Sequence, residues 1–205
     1  MQYGILKSST NTGIDSELAA VFAAPIGIAS NQPAFGADTL SLKRSSAATG
    51  AQRWEITAAI APSADSVDIM TNMLTAGYGN FMYVRMPQLY RNGSQMPTGL
   101  SLTAAGTPQG SDTINISGAN GKLMKGEFIK FASHAKVYMI IDPGVNGVGA
   151  RISPRLIAPV TPGTVVKYGG EVTMRCKYEL NTVLGLQFTD GILSSPGQIK
   201  VVEAL

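Results

Sequence analysis

The sequence predicts a mainly β protein with one flanking α-helix. Gly occurs 23 times and Pro 11 times among the 205 residues, which is typical of a chain with many turns. Only 14% of the residues are charged, against about 25% in a typical domain, so little of the chain resembles exposed helical surface. Residues 126–168 contain a dense series of strand and turn signals, which indicates β structure directly.

Four apolar runs separated by turns make up this dense region. The runs cover residues 127–131, 136–141, 150–157 and 164–168. The first two runs are separated by a short polar link at residues 132–135. The second and third are separated by Asp142-Pro143-Gly144 and the loop after it, and the last two by Pro162-Gly163. Short strands divided by such turns predict a small antiparallel β-barrel.

The N-terminal part of the chain is predicted to begin with an extended segment. Residues 19–29 are apolar but include Pro25, which cannot donate a hydrogen bond to a sheet ladder. We therefore expect an extended or edge strand here, followed by a turn over residues 31–36.

A hairpin is predicted next. Leu40 and Leu42 alternate with polar residues on its first arm, and Trp54, Ile56 and Ala58 do so on its second arm. Residues 45–50 are predicted to form a flexible loop tip between the arms. Trp54 is the only tryptophan, and we interpret it as a core anchor rather than a binding residue.

One helix is predicted, over residues 63–76. Serines and aspartates at its start suit an N-terminal cap and the positive end of the helix dipole. The apolar side chains then recur with helical spacing, and two glycines end the segment. These residues are Ser63, Asp65, Ser66, Asp68, then Val67, Met70, Met73, Leu74, then Gly77 and Gly79.

The remaining strands indicate two domains. Residues 81–86 are predicted to form a strand that is partly covered on both faces, and the Pro- and Gly-rich residues 87–108 are the best domain boundary. A strand over residues 112–118 opens the middle segment, and strands over 171–178, 183–189 and 199–205 close the chain, the last after a turn at 194–197. The predicted domains are residues 1–96 plus 170–205, and an inserted barrel of residues 97–169.

Charge is concentrated in the middle segment. The chain has a formal charge of +3, but residues 97–169 carry seven basic and three acidic residues, for a net charge of +4. This balance could attract an acidic partner. Lysines on the solvated face of a barrel explain it as well.

The sequence lacks a constellation typical of an enzyme. His134 is the only histidine, lies in a predicted turn and is interpreted as a solvated imidazole. Ser133 makes no triad with it, and Asp112, Glu127 and Asp142 are too scattered to predict an acid–base pair. We predict no catalytic, cofactor-binding or metal-ligating residues, and no enzyme.

Two further patterns could bind a ligand. The glycines at 144, 147 and 149 resemble a phosphate-binding loop only in glycine content, so we predict a mobile loop between two strands. Aromatic residues alternate with lysines at Phe128, Lys130, Phe131, Lys136 and Tyr138. This pattern fits a stacking platform for single-stranded nucleic acid or sugar, and fits a barrel core with a solvated lysine face equally well.

The single cysteine and the N-terminal residues indicate the cellular compartment in which the protein is made. Cys176 shares its strand parity with Met174 and Tyr178, so we predict a buried thiol and no intrachain disulfide. The first ten residues lack the pattern of a signal peptide, and no run reaches the ~18 apolar residues of a membrane span. The expectation is a soluble protein made in a reducing compartment.

The order of these segments resembles the distal tail proteins of long-tailed bacteriophages. This is the tail-tip or baseplate hub adaptor family, which includes related proteins of gene transfer agents. The resemblance covers residues 39–205 and rests on several segments in order. They are LSLKR (40–44), QRWEIT (52–57), the capped helix, FMYV (81–84), KGEFIKF (125–131), KVY (136–138), ISPRL (152–156), PGT (162–164) and VVEAL (201–205).

The resemblance implies a structural virion protein without catalytic residues. Its fold would be a split β-barrel with a flanking helix, forming an oligomeric and commonly hexameric ring, with an inserted oligonucleotide/oligosaccharide-binding-like (OB-like) barrel outside the ring. The ring would join the tail tube protein above it to the hub, tail-tip or baseplate protein below it, with a channel for genome passage without specific binding. The expected location is the virion tail tip, after synthesis in the host bacterial cytoplasm and without membrane insertion. The alternative function is a carbohydrate- or nucleic-acid-binding module that acts through the inserted barrel.

Overall fold

The computed structural model of the chain is mainly β. It describes residues 3–10, 13–38, 44–61, 71, 81–88, 101–119, 121–179, 187–189, 192–195 and 198–205. The strands are β1 (Gly4–Thr10), β2 (Gly13–Asn31), β3 (Ala34–Asp38), β4 (Arg44–Ala48), β5 (Arg53–Ile60), β6 (Met82–Arg85), β7 (Thr103–Ala104), β8 (Thr113–Ile114), β9 (Ile116–Ser117), β10 (Phe128–Phe131), β11 (Val137–Asp142), β12 (Ala150–Ser153), β13 (Thr164–Tyr168), β14 (Thr173–Tyr178), β15 (Gln187–Thr189), β16 (Ile192–Ser195) and β17 (Gln198–Glu203). A 3₁₀ turn at Gly169–Glu171 precedes β14.

Six strands form a closed antiparallel barrel, in the order β1-β2-β5-β17-β14-β6. The alternation of apolar residues along each strand turns one side of every strand inward, as for Ile56, Val84 and Val201, which are fully buried. In the described residues, β1 and β6 close the barrel through one paired position, Ile5 opposite Val84. The strands of this barrel come from both ends of the chain.

A second sheet of seven strands comes from the middle of the chain, in the order β8-β12-β11-β10-β13-β7-β9. Its two edge strands, β8 and β9, are separated in sequence by Asn115 alone. Because one residue joins the two edges, the sheet must roll round until they lie side by side. A separate apolar core fills it, centred on Ile129, Phe131 and Tyr138.

Two short ribbons lie outside these sheets. β3 pairs with β4, and β15 pairs with β16, each as a sheet of two strands. The β3–β4 ribbon continues from the end of β2, which has 19 residues. β2 pairs with β1 only as far as Val21 and with β5 at Ala23 and again from Gly27, so Pro25 lies in an irregular stretch without a paired position, which agrees with the predicted extended or edge segment.

Several predicted strands match the structure closely. β10, β11 and β13 fall within one or two residues of the predicted runs, and β5, β6, β14 and β17 lie in predicted strands. Ile114 and Ile116 are both buried, as the alternation of their segment indicates. The predicted helix at residues 63–76 and the helical side-chain face lie outside the described residues, except Thr71.

Several predictions of strand extent and pairing are wrong. The turns predicted at 31–36 and 194–197 overlap β3 and β16. β5 pairs with β2 and β17 rather than with the predicted first hairpin arm, whose Leu40 and Leu42 lie outside the described residues. The predicted run over 150–157 ends at Ser153, because Pro154 lacks the N–H that would continue the ladder. Residues 45–50, predicted as a loop tip, instead contribute Ser45–Ala48 to β4, which pairs with β3. Alanine and serine are weak strand formers, so this pairing depends on the partner strand rather than on local preference.

Two glycines in the loop between β11 and β12 provide a test of this fold. Gly147 and Gly149 both have positive φ, but a Cβ at Gly147 would lie 2.2 Å from the Ile116 carbonyl oxygen, whereas a Cβ at Gly149 meets open space. We expect Gly147→Ala to lower the free energy of unfolding by more than Gly149→Ala, which carries only the left-handed strain of about 1–2 kcal/mol. Urea unfolding of both variants measures this difference, and equal losses would contradict the packing of the loop on β9.

Candidate functional site

A buried ion pair joins the second sheet to the barrel. Lys136 directly precedes β11, Glu203 ends β17, and both side chains are fully buried. The Lys136 ammonium also donates a hydrogen bond to the Gln52 carbonyl oxygen, at 2.8 Å. The Glu203 carboxylate accepts further hydrogen bonds from the backbone N–H groups of Val137 (2.8 Å) and Trp54 (3.1 Å). One carboxylate at the end of β17 therefore binds β5 of the barrel and the start of β11 in the second sheet.

Burial and the neighbouring carboxylate have opposite effects on the pKa of Lys136. Burial lowers the pKa of Lys136, and the Glu203 carboxylate opposes that shift by attracting the charged ammonium. Two charges removed from water are tolerated only when they are paired and hydrogen-bonded. This requirement is met by the hydrogen bond that Lys136 donates to the Gln52 carbonyl and by those that Glu203 accepts from the Trp54 and Val137 N–H groups.

Trp54 fixes the same junction through its ring. Its Nε1–H donates to the Val137 carbonyl oxygen at 2.8 Å, and its ring meets Phe128 edge to face, with centroids 5.2 Å apart. Phe128 and Val137 belong to the second sheet but lie in the apolar core of the barrel. The prediction that Trp54 is a core anchor is confirmed, and its partners show that the second sheet closes one end of the barrel.

Gln88, just after β6, adds a third link. Its side-chain amide donates to the carbonyl oxygens of Phe128 (3.1 Å) and Gly169 (3.3 Å) and accepts the Phe128 N–H at 2.9 Å. The amide thus imitates a neighbouring strand at the start of β10. Both Gln88 and Phe128 are buried, so these bonds form away from water.

The aromatic and lysine pattern forms core and junction, and no stacking platform. Phe128, Phe131 and Tyr138 are buried, so their faces are not open to bases or sugar rings. The interpretation of Lys136 as part of a solvated lysine face is wrong, because its ammonium is needed inside to neutralise Glu203. Lys130 is half-buried, and its ammonium donates to the Thr173 carbonyl oxygen at 2.9 Å.

His134 lies in a turn as predicted, but the interpretation as a solvated imidazole is wrong. It is only 6% exposed. Its Nδ1 lies 2.9 Å from the Tyr138 hydroxyl and its Nε2 lies 3.3 Å from the Pro159 carbonyl oxygen. The carbonyl can only accept, so Nε2 donates and Nδ1 accepts from Tyr138. Burial raises the pKa of Tyr138 to about 12, which keeps this hydroxyl protonated.

The three acidic residues considered for acid–base chemistry have separate structural partners. The Asp142 carboxylate accepts the Gly144 N–H at 3.0 Å, within its own turn. The Asp112 carboxylate accepts the Thr113 hydroxyl at 3.1 Å. Glu127 is buried and accepts the Tyr168 hydroxyl (2.5 Å) and the Met124 N–H (2.9 Å). Burial and the Glu127 carboxylate raise the pKa of Tyr168.

Other sequence features lie where the strand pattern places them. Cys176 is a buried free thiol, as predicted, and burial raises its pKa. The glycine loop joins β11 to β12, also as predicted, and exposes Val145 and Val148. Among the described residues, no group of three or more His, Cys, Asp or Glu side chains could hold a metal ion. None of the helices within the described part of the chain has the length and apolar character to cross a membrane.

Sequence reasoning missed Lys136 and Glu203 as the central residues. A weak signal is present in the sequence. Ile199, Val201 and Glu203 alternate along one strand face, so Glu203 occupies a position of the inward set. A carboxylate at such a position needs a buried cation, and Lys136 opens the apolar run of β11.

The buried pair can be tested by a double-mutant cycle. We expect Lys136→Met to lower the free energy of unfolding by about 3–5 kcal/mol, because it leaves the Glu203 carboxylate buried without its cation. Glu203→Gln should also destabilise, and the double variant should lose less than the sum of the two single losses. Urea unfolding gives all three values, with exposed Lys125→Met as the matched control. Additive losses, or a Lys136→Met loss no larger than that of the control, would contradict this account.

Lys130 predicts a pH dependence of stability. Burial, and then the charges of Lys167 and Arg175, lower its pKa from 10.5 to about 8 in the folded protein. Between about pH 8 and 10.5 the unfolded chain therefore binds more protons at this residue, so its contribution makes stability rise with pH. We expect Lys130→Met to remove this rise relative to the unmodified protein, measured by urea unfolding across that range. Identical slopes in the two proteins would refute the assigned shift.

Comparison with known proteins assigns no family. No protein-family model matches the chain, and a search of curated proteins finds no match. The function proposed below therefore rests on the resemblance in sequence order and on the geometry of the exposed and buried surfaces.

Proposed function

We propose that this protein is a structural virion protein that forms an oligomeric ring between the phage tail tube and the tail tip or baseplate. The ring leaves a channel for genome passage. Its contacts with other copies are made by strand edges and apolar surface rather than by a binding pocket. The resemblance to distal tail proteins suggests this role, and the exposed strand edges of the structure support it independently.

The observation that carries the proposal is the unsupported β3–β4 ribbon. Its two strands pair with each other from Ala34 opposite Ala48 to Asp38 opposite Arg44, and with no other described strand. Phe35 on this ribbon is 76% exposed. A two-stranded ribbon is at best marginally stable in water, and exposed strand edges pair readily with another chain. A neighbouring copy would supply the missing cover.

The two sheets support the predicted division of the chain. The barrel uses strands from residues 4–60, 82–85 and 173–203, whereas the second sheet uses only residues 103–168. We assign the ring to residues 1–96 plus 170–205, as a split barrel flanked by the helix at 63–76. Residues 97–169 are then the OB-like barrel outside the ring, and the rolled second sheet favours this assignment.

The partners follow from the proposed place in the tail. Copies of this chain, in a ring that we expect to be hexameric, contact the tail tube protein above and a hub, tip or baseplate protein below. The ring is located in the virion and is made in the host cytoplasm. It has no catalytic residues, and the genome passes through the channel without specific binding.

The alternative function, binding of carbohydrate or nucleic acid through the inserted barrel, gains no support from the proposed platform. Its aromatic side chains lie in the core, and Lys136 is paired with Glu203. We therefore keep the ring as the single proposed function.

Ring formation can be tested with one ribbon variant and a matched control. At about 50 µM, where mass action favours association, the unmodified protein should form rings, visible by negative-stain microscopy and as oligomer mass by light scattering. Phe35→Ser should shift the mass towards that of a monomer, because it removes exposed apolar surface that a neighbour covers. Val145→Ser removes a similarly exposed apolar side chain from the loop between β11 and β12 and should leave the rings intact. Monomeric unmodified protein, or equal dissociation by both variants, would count against the proposal.

A further inference from the structure

A cluster of cations lies where the second sheet meets the outer face of the barrel, apart from the Lys136–Glu203 pair. Lys130 on β10 is the register partner of Lys167 on β13, so their side chains stand next to each other on one face. The Lys130 ammonium reaches the Thr173 carbonyl oxygen at the start of β14. This contact places the Lys130 side chain on the barrel surface, with Lys167 beside it.

β14 adds two more cations to the cluster. Arg175 and Lys177 follow Thr173 at two-residue spacing, so all three share one face of the strand. The Arg175 guanidinium stacks over the Phe81 ring with its Cζ 3.5 Å from the ring centroid, and the Lys177 ammonium lies 4.4 Å from the same centroid. Phe81 is 42% exposed, so the stack holds Arg175 in a fixed orientation at the surface.

Within the described part of the chain, the charges in this cluster lack a matching counter-charge. Lys167 and Arg175 both lower the pKa of Lys130, and the one carboxylate that acts in the opposite direction is Glu203. Glu203 is already bound by the Lys136 ammonium. Glu171, which precedes Thr173, is exposed and is not among the charges that shift Lys130.

Arg175 also has unused hydrogen-bonding capacity. Its Nε is buried and has no hydrogen-bond partner among the described residues. A buried donor left without an acceptor is destabilising, because the hydrogen bond it would make to water is not replaced. Like charges held close together add a further cost. An anion at this position would remove both costs.

We propose that Lys130, Lys167 and Arg175 form a binding site for a phosphate group, carried either by free phosphate or by a nucleic-acid backbone. A carboxylate supplies one negative charge, whereas a phosphate supplies up to two charges and three strong acceptor oxygens. Three cationic donors therefore match a phosphate better. The planar guanidinium of Arg175, held by Phe81, can donate two parallel hydrogen bonds to such a group.

Isothermal titration calorimetry of the full chain tests this site. The probes are inorganic phosphate and a thymidine oligonucleotide of about 20 nucleotides, at constant ionic strength and about pH 7.5. We expect Arg175→Gln and Lys167→Gln each to weaken binding about tenfold or more, which corresponds to about 1.4 kcal/mol. Exposed Lys125→Gln, in the turn before β10, removes an equal charge elsewhere and should change binding less than about twofold. Circular dichroism identifies the variants that fold, and Lys167→Gln, which leaves the Arg175–Phe81 stack intact, carries the test if Arg175→Gln does not fold.

The two probes distinguish the source of the phosphate. Binding of inorganic phosphate supports a site for a free phosphate group, whereas binding of the oligonucleotide alone, with loss at higher salt, supports a nucleic-acid backbone. Either should weaken at about pH 9.5, because Lys130, whose pKa is lowered to about 8, then loses its charge. Absence of binding by both probes, or an equal loss with Lys125→Gln, would overturn the proposal.

Discussion

The buried Lys136–Glu203 pair is the constraint that holds the barrel and the second sheet in one arrangement. Separating the sheets would leave two charges without their partners, and uncompensated buried charges cost several kcal/mol. The Trp54 indole and the Gln88 amide act at the same junction, so polar bonds surround an apolar contact between Phe128 and the barrel core. The second sheet therefore keeps its own core but contributes Phe128 and Val137 to the barrel core, which fixes it to the barrel.

The β3–β4 ribbon differs from this junction in how far its side chains and strand edges find partners within the chain. At the junction the Glu203 carboxylate finds its partners within the chain, in Lys136, Trp54 and Val137, and of the Gln52 groups only Oε1 is buried without a partner among the described residues. The β3–β4 ribbon instead leaves Phe35 exposed, and neither of its strands pairs with a further strand in the described part of the chain. A rigid interior combined with unsupported strand edges suits a subunit that completes its surface by association.

The basic residues of the middle segment have different roles in the structure from those that its net charge suggests. Its net charge of +4 suggests a basic face, yet Lys136 is used internally to neutralise a carboxylate from the C-terminal strand. Lys130 and Lys167 meet Arg175 from another part of the chain, which forms a local cluster that no count along the sequence reveals. Net charge describes a segment, whereas binding depends on where the charges converge.

The sequence by itself determined the β class, most of the strands and the burial of Trp54 and Cys176. These follow from alternation and turn residues, which act over a few neighbouring positions. Two features were missed. β12 ends just before Pro154, although the proline marks this position in the sequence. β3 pairs with β4, which depends on the partner strand rather than on a local pattern. Only the tertiary structure decided that Lys136 and His134 are buried. Lys136 is neutralised by a residue 67 positions away, and His134 is covered by Tyr138 and the segment around Pro159. The burial of a polar side chain depends on long-range partners, so local patterns cannot fix it.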